Sequence, residues 1–265
     1  MVHRKMAADI AFPAAFLLFA LCAGEAAAAP CRSETFEEND YVVCTFDPTS
    51  SDLRLFLDQA DGAPYGTFDA LAADLETSGL ELEFAMNGGM YQDDFSPVGL
   101  HVEAGEVVAP ANTRTAPADI RPVPNFYKKP NGVFYVGAEG AGVVTTERFL
   151  EEKPQADFAT QSGPMLVIDG ALHPAFIPGS SDRRQRDGVG MSGQTAVHFV
   201  ISEDGVNFHD FARFFRDRLG CPSALFLDGG SAPGLYAPAI GRNDPPGHGG
   251  YGPIIAVVGK AAGNQ

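Results

Sequence analysis

The chain has 265 residues, and its 18 Lys and Arg face 34 Asp and Glu, a net charge of −16 with histidine neutral. Such an acidic balance argues against nucleic-acid backbones and anionic lipid surfaces as partners, because both need a positive face; any bound anion must meet a local cationic cluster. A hydrophobic fraction of 45% excludes intrinsic disorder, while 30 Gly and 20 Pro exclude an all-helical bundle.

The first residues read as an address. His3, Arg4 and Lys5 precede an apolar stretch over 10–23, and an alanine run over 26–29 offers a cleavage site, the order of a secretory signal peptide over 1–28. The stretch falls short of the ~20 residues that span a bilayer, so no stable membrane anchor is expected and a periplasmic or secreted location is. Cleavage removes Arg4, Lys5, Asp9 and Glu25 and leaves the charge unchanged. In an oxidising compartment disulfides persist, and Cys31 and Cys44, close in sequence around the strand-like Tyr41-Val42-Val43, are the natural pair. Cys221 is left over and reads as a small buried hydrophobe.

Further along, 52–57 reads as a strand. Phe68, Leu71, Ala72 and Leu75 share one helical face, predicting a helix over 68–80 with Gly79 as its stop. Strands follow at 82–86, 99–103, 132–136, 165–168 and 196–202. A second helix is predicted over 208–219, with Phe211, Phe214, Phe215 and Leu219 on one side, Arg216 and Arg218 near its C-terminus and Gly220 closing it. Strands at 224–227 and 254–258 complete the set. Glycine-containing turns such as Glu103-Ala104-Gly105-Glu106 favour antiparallel pairing. The expectation is an α+β fold: one domain over 29–265, with a large, mostly antiparallel or mixed sheet and a few packed helices.

Five segments combine glycine with polar side chains at the ends of apolar runs. They hold Asn87, Gly88, Gly89 and Tyr91; Lys128, Lys129 and Asn131; Gln161, Ser162 and Gly163; Arg183 to Gly190; and Asp228, Gly229, Gly230 and Ser231. Glycine lets backbone N–H groups approach a ligand, and the polar side chains are candidate substrate contacts. Three of the basic residues fall within 183–186 and two more are Lys128 and Lys129, clusters that suit a phosphate or carboxylate. Asp228 closes the apolar run 224–227, a good place for a nucleophile or general base; capping of the next turn is the structural alternative.

The ordered set Asn-Gly-Gly-Met-Tyr, Lys-Pro-Asn-Gly-Val-Phe, Gln-Ser-Gly-Pro-Met-Leu-Val, Arg-Asp-Gly-Val-Gly and Leu-Asp-Gly-Gly-Ser resembles the phosphodiester glycosidase family over roughly residues 31–259. The resemblance implies that Asn87, Ser162, Arg186, Asp228 and Gly229 to Ser231 share one pocket, and that the substrate is an anionic glycan carrying a sugar-1-phosphodiester. The residues suit that chemistry independently. A phosphomonoester is a good leaving group, so positive charge from Arg186, with Lys129 as helper, matters more than strong acid catalysis, and Asp228 would attack the anomeric carbon or activate water. Asn87 and Ser162 would orient hydroxyls or phosphate oxygens. No cofactor is called for, with a divalent metal left open: no CxxC pair or HExxH run is present.

Two rivals stand beside this reading. A serine hydrolase built on Ser231 lacks the Gly-x-Ser-x-Gly elbow, since Pro233 stands where the last glycine belongs. A non-catalytic periplasmic glycan- or envelope-binding module would use the same pocket without turnover.

Overall fold

The computed structural model describes residues 1–3 and 29–261, so the expected signal segment lies almost wholly outside the described residues. Three sheets, antiparallel in every pairing, form one α+β domain. The first has seven strands in the order Cys31–Phe36, Asn39–Phe46, Ala196–Ser202, Arg186–Ser192, Ser223–Gly229, Met165–Ile168 and Ala171–Leu172. The second runs Arg242–Asn243, Leu235–Ala237, Leu80–Asn87, Ile254–Lys260, Asp52–Phe56, and the third Glu106–Ala109, His101–Glu103, Phe158–Ser162, Gly132–Gly137, Gly140–Thr145.

Apolar faces of all three sheets meet in one core. The Phe199 ring of the first sheet packs 5.0 Å from Phe84 of the second and 5.7 Å from Phe134 of the third, with Met86, Leu225 and Leu227 around them. Emptying the Phe199 position leaves a void shared by three sheets, and Phe199→Ala should cost about 3–5 kcal/mol.

The helices cover outer faces. Helix Phe68–Thr77, capped by Thr67 Oγ1 accepting from the Ala70 amide at 3.1 Å, buries Phe68, Leu71 and Leu75 against Leu82 and Ala256 of the second sheet. Helix Phe208–Arg213 begins at an Asn207 cap and continues as a π-helical turn over Phe214–Arg218. Its Phe211, Phe214 and Phe215 pack on Tyr41, Val43, Val200 and Phe226 of the first sheet. They come close because the sheet beneath has no side chain at Gly190, where a Cβ would stand 2.6 Å from the Phe215 ring. A third helix, Thr146–Glu152, was not predicted: its only buried residue is Thr146, so no apolar stripe marks it.

Both predicted helices and all eight predicted strands occur, the strands at 165–168 and 196–202 with the expected bounds and the others with shifted ends. The larger difference is at 183–190, where no strand was expected. Residues Arg186–Ser192 instead form a central strand, buried except at Ser192. Cys31 and Cys44 lie opposite each other in register and are disulfide-bonded, while Cys221 is free and buried.

Candidate active site

The site forms where strand ends of the three sheets converge. Strand Leu80–Asn87 delivers Asn87, strand Phe158–Ser162 delivers Ser162, and the adjacent strands Arg186–Ser192 and Ser223–Gly229 deliver Asp187 and Asp228. Ser162 Oγ donates to the Leu227 carbonyl at 2.6 Å, and Thr160 Oγ1 donates to the Gly88 carbonyl at 2.8 Å. These two bonds tie the third sheet to the strand carrying Asp228 and to the turn after Asn87.

A β-bulge sets the direction of Asp228. Phe226 faces the helix side of its sheet, so strict alternation would send Asp228 to that side as well. The register shifts between Asp187 and Gly188: Gly188 faces Phe226, while Asp187 faces Asp228. The extra residue brings Asp228 opposite Asp187, and the Asp228 amide donates to Asp187 Oδ1 at 2.7 Å. Bulges are a common means of aiming a side chain beside an active site.

Two carboxyls, Asp187 fully buried and Asp228 partly buried, therefore stand side by side. Asp228 Oδ1 accepts from the Gly229 amide at 2.7 Å, but burial outweighs that bond and lifts its pKa to about 7. Asp187 has no exposed surface; desolvation and then the neighbouring Asp228 charge hold its pKa well above the usual carboxylate range. Both carboxyls are thus held against ionisation, Asp228 by burial alone and Asp187 by burial together with the neighbouring Asp228 charge. The fully buried Asn87 amide faces Asp187 and partly offsets its burial, although neither amide atom nor Asp187 Oδ2 reaches hydrogen-bonding geometry.

Asp228 opens onto two depressions of about 320 and 390 Å³ that share Tyr91, Gln92 and Asp228. The first adds Asp93, Phe95 and His248, and the second Asn112, Arg114, Asn125 and Tyr127. Tyr91 stacks on Phe95 with ring centroids 6.0 Å apart, and its hydroxyl donates to the Gly250 carbonyl at 2.9 Å. Together the depressions make a cleft with a titratable carboxyl at its centre, an aromatic wall at one end and an arginine at the other. Among the described residues, no group of three or more His, Cys, Asp or Glu is arranged to hold a metal ion.

With this geometry in place, similarity to known proteins is decisive. The sequence model of the phosphodiester glycosidase family matches residues 81–258, which include Asn87, Asp187 and Asp228. The chain belongs to the phosphodiester glycosidase family. A relative from Escherichia coli K12, the uncharacterized protein YigE, is 34% identical over 185 residues, 70% of each chain. The fold is similar to the catalytic domain of zebrafish N-acetylglucosamine-1-phosphodiester alpha-N-acetylglucosaminidase, with a TM-score of 0.57 at 13% identity, covering 86% of this chain and 81% of that one. A Synechocystis protein of known structure aligns with a TM-score of 0.53 at 14% identity, over 86% of this chain and 61% of its own.

The residues singled out from sequence divide into three groups. Asp228 and Tyr91 line the cleft. Asn87 sits behind Asp187, and Ser231 lies beside the cleft with its Oγ 2.9 Å from His248 Nε2. Several others build the frame instead. Gln161 is fully used by the Leu100 and Asn112 amides, the Asn112 carbonyl and Thr146 Oγ1. Asn131 Oδ1 accepts from Thr146 Oγ1 at 2.9 Å and from Lys129 Nζ at 3.0 Å. Gly88, Gly89, Gly163, Gly229 and Gly230 shape the backbone around these groups and do not line either depression.

Arg186 requires a correction. It was expected to share the pocket of Asp228 and carry positive charge to a phosphate, but it is 1% exposed and lies on the helix side of the sheet. Its guanidinium stacks 3.7 Å from the Phe208 ring centroid and donates through Nε to the Val206 carbonyl at 2.8 Å and through Nη2 to the Asp182 carbonyl at 3.2 Å. Neighbouring Asp187 takes the opposite face, as strand alternation requires. Burial draws the Arg186 pKa down to about 10, against the attraction of Asp182. The rest of the basic cluster is met by acids: Arg184 pairs with Asp182 at 3.5 Å and Arg183 with Asp210 at 3.7 Å. Lys128 lines a separate cavity of about 680 Å³ with Phe208 and Asp182, and Lys129 lines neither half of the cleft.

The sequence assigned no individual role to Asp187, Gln92, Asn112 or Arg114. Asp187 carried a signal, since it sits inside the Arg-Asp-Gly-Val-Gly motif; Arg114 belongs to none of the five segments.

Proposed function

We propose that this protein is an exported hydrolase that cleaves the C1–O bond of a sugar-1-phosphodiester, releasing free sugar and a phosphomonoester. The observation that carries this reading is a partly buried carboxyl at the centre of a cleft, its pKa lifted to about 7, beside a fully buried second carboxyl that is also held against ionisation. Near neutral pH Asp228 is partly ionised and basic enough either to attack the anomeric carbon or to take a proton from an attacking water. As the new bond to C1 forms, the C1–O bond breaks and its electron pair leaves on the phosphomonoester; where Asp228 is the nucleophile, water then cleaves the glycosyl ester, releasing the sugar and restoring the carboxylate. That anion needs charge stabilisation more than a proton. Asp187 fixes the backbone of Asp228 through its 2.7 Å bond, and its burial resists placing a second negative charge beside it.

Family membership and the likeness to the zebrafish glycosidase domain support this reaction class, while the sugar and the group beyond the phosphate are set by the cleft. Export is supported by the signal-like leader, the disulfide and the lack, among the described residues, of any helix long and apolar enough to cross a membrane. The net charge of −16 supports a small or polymeric anionic glycan reaching the cleft, rather than nucleic acid.

The 2.9 Å contact of Ser231 Oγ with His248 Nε2 favours a second reading, a serine nucleophile, but no described carboxylate hydrogen-bonds the other ring nitrogen to orient the base. Incubating the protein with a panel of sugar-1-phosphodiesters and following reducing sugar separates the readings. Turnover lost in Asp228→Asn and kept in Ser231→Ala supports the proposal, and the reverse pattern supports the serine enzyme. Binding without turnover of any panel member would leave a glycan-binding module.

A further inference from the structure

We infer that the cleft is directional: Arg114 receives the phosphate of the substrate, and the Tyr91–Phe95 end receives the sugar whose anomeric carbon Asp228 meets. This assignment rests on the glycosidase reading above.

The charge distribution supplies the first argument. A phosphodiester entering an acidic protein needs a cation at the point of chemistry. Among the residues lining the two halves of the cleft, Arg114 is the only lysine or arginine. Arg186 is buried on the far face of its sheet, Lys128 opens onto another cavity, and Lys129 is held by Asn131. The opposite half carries Asp93, whose carboxylate disfavours a second anion. The phosphate thus has one end of the cleft to occupy.

The second argument is how Arg114 is held. The buried Gln161 carboxamide accepts from the Asn112 amide at 2.8 Å and donates to the Asn112 carbonyl at 2.9 Å, and Asn112 Nδ2 donates to the Val98 carbonyl at 2.9 Å. Asn112 is therefore fixed on both backbone and side chain. Its remaining acceptor, Oδ1, takes the Arg114 amide at 3.1 Å and approaches Arg114 Nε at 3.4 Å. The terminal guanidinium nitrogens are left to a ligand, and no carboxylate of the described residues pairs with them. An exposed arginine with its base anchored and its fork open suits bidentate binding of a phosphate. Asn125 lines the same half; Lys128 Nζ occupies its Oδ1 at 2.7 Å, which leaves its amide nitrogen as a further donor.

The other end has sugar-binding character. Phe95 stacks on Tyr91, which both halves share, and Asp93 and His248, found in this half alone, add donors and acceptors for hydroxyls. Apolar walls with a few fixed polar groups are the usual make-up of a small-ligand site. Asp228 belongs to both halves, between sugar and phosphate, where the scissile bond would lie.

The test compares Arg114→Ala, Arg114→Lys and Phe95→Leu with the wild type on two substrates of one sugar, a glycosyl-1-phosphodiester and the neutral p-nitrophenyl glycoside. Loss of a charge-assisted contact made by the leaving phosphate should lower kcat/KM of Arg114→Ala on the phosphodiester by about 30-fold or more, and on the neutral glycoside by less than about 3-fold. Arg114→Lys should fall between, and Phe95→Leu should lower both substrates alike. An equal fall on both substrates for Arg114→Ala, or no fall on the phosphodiester, overturns the role of Arg114. A fall confined to the phosphodiester in Phe95→Leu overturns the polarity. If the wild type turns over neither substrate, the glycosidase reading fails, and inorganic phosphate binding by calorimetry then decides Arg114: binding weakened about tenfold or more in Arg114→Ala sustains the assignment, and unchanged or absent binding in the wild type removes it.

Discussion

Asp228→Asn should make the protein more stable in alkali while removing its activity. Asn keeps the size of the side chain and an oxygen that can accept from the Gly229 amide, but it carries no charge. In the unfolded chain Asp228 titrates near 3.8, and in the folded protein near 7. Below pH 4 both states hold the proton and the aspartate costs nothing. Between about 4 and 7 the folded state keeps a proton that the unfolded state has released, so stability falls steadily as the pH rises. Above 7 the folded protein carries the buried charge and the loss is complete. A shift of about 3 pH units at ~1.36 kcal/mol each sets an upper bound of about 4 kcal/mol. For a domain of this size 1 kcal/mol moves Tm by roughly 2–4 °C, so the variant should melt above the wild type by up to roughly 8–16 °C at pH 8.5 and within about 2 °C of it at pH 4. Thermal melts of both proteins at the two pH values measure this. A gap that is the same at pH 4 and pH 8.5, or a variant less stable than wild type at pH 8.5, would refute the claim that Asp228 is held against ionisation.

The same carboxyl should place the acid limb of kcat/KM near pH 7 instead of near 4, as a pH–rate profile would reveal. Asp187→Leu should lose the acceptor for the Asp228 amide, so kcat should drop by about 10-fold or more while the protein still folds, as circular dichroism and turnover together would establish. Arg186→Lys should destabilise by about 2–4 kcal/mol, because a lysine cannot replace the stacking on Phe208 and the donation to Val206 together. Its turnover per folded molecule should match wild type; denaturant melts and active-site titration separate the two effects. Cys31→Ser with Cys44→Ser should cost about 2–4 kcal/mol, the entropy of freeing a short loop, read from the same melts.

What the sequence made legible follows from which interactions are local. The apolar run 224–227 and the residue that ends it were readable because strand and carboxylate are consecutive, and the Phe211, Phe214, Phe215 stripe was readable because helical spacing exposes it. The direction of Asp228 was not, because it depends on a bulge created by pairing with a strand about forty residues away. The strand over 186–192 was not legible, since its glycines and arginine are poor strand formers by composition. In three dimensions Gly190 makes room for Phe215, and Arg186 is sheltered by Phe208. Arg114 gave no signal at all, because the group that fixes it, Gln161, acts through Asn112 from 49 residues away. Gln161 itself was picked out, but as a substrate contact, when its four hydrogen bonds make it a support.

The most direct test of the account is turnover of sugar-1-phosphodiesters by the wild type and by a folded Asp228→Asn protein, with free reducing sugar and phosphomonoester measured together. The account predicts equimolar release of both products by the wild type, and a fall on the order of 10²-fold or more in the variant with substrate binding retained. Wild-type turnover that persists undiminished in folded Asp228→Asn, or no release of reducing sugar from any sugar-1-phosphodiester, would contradict it.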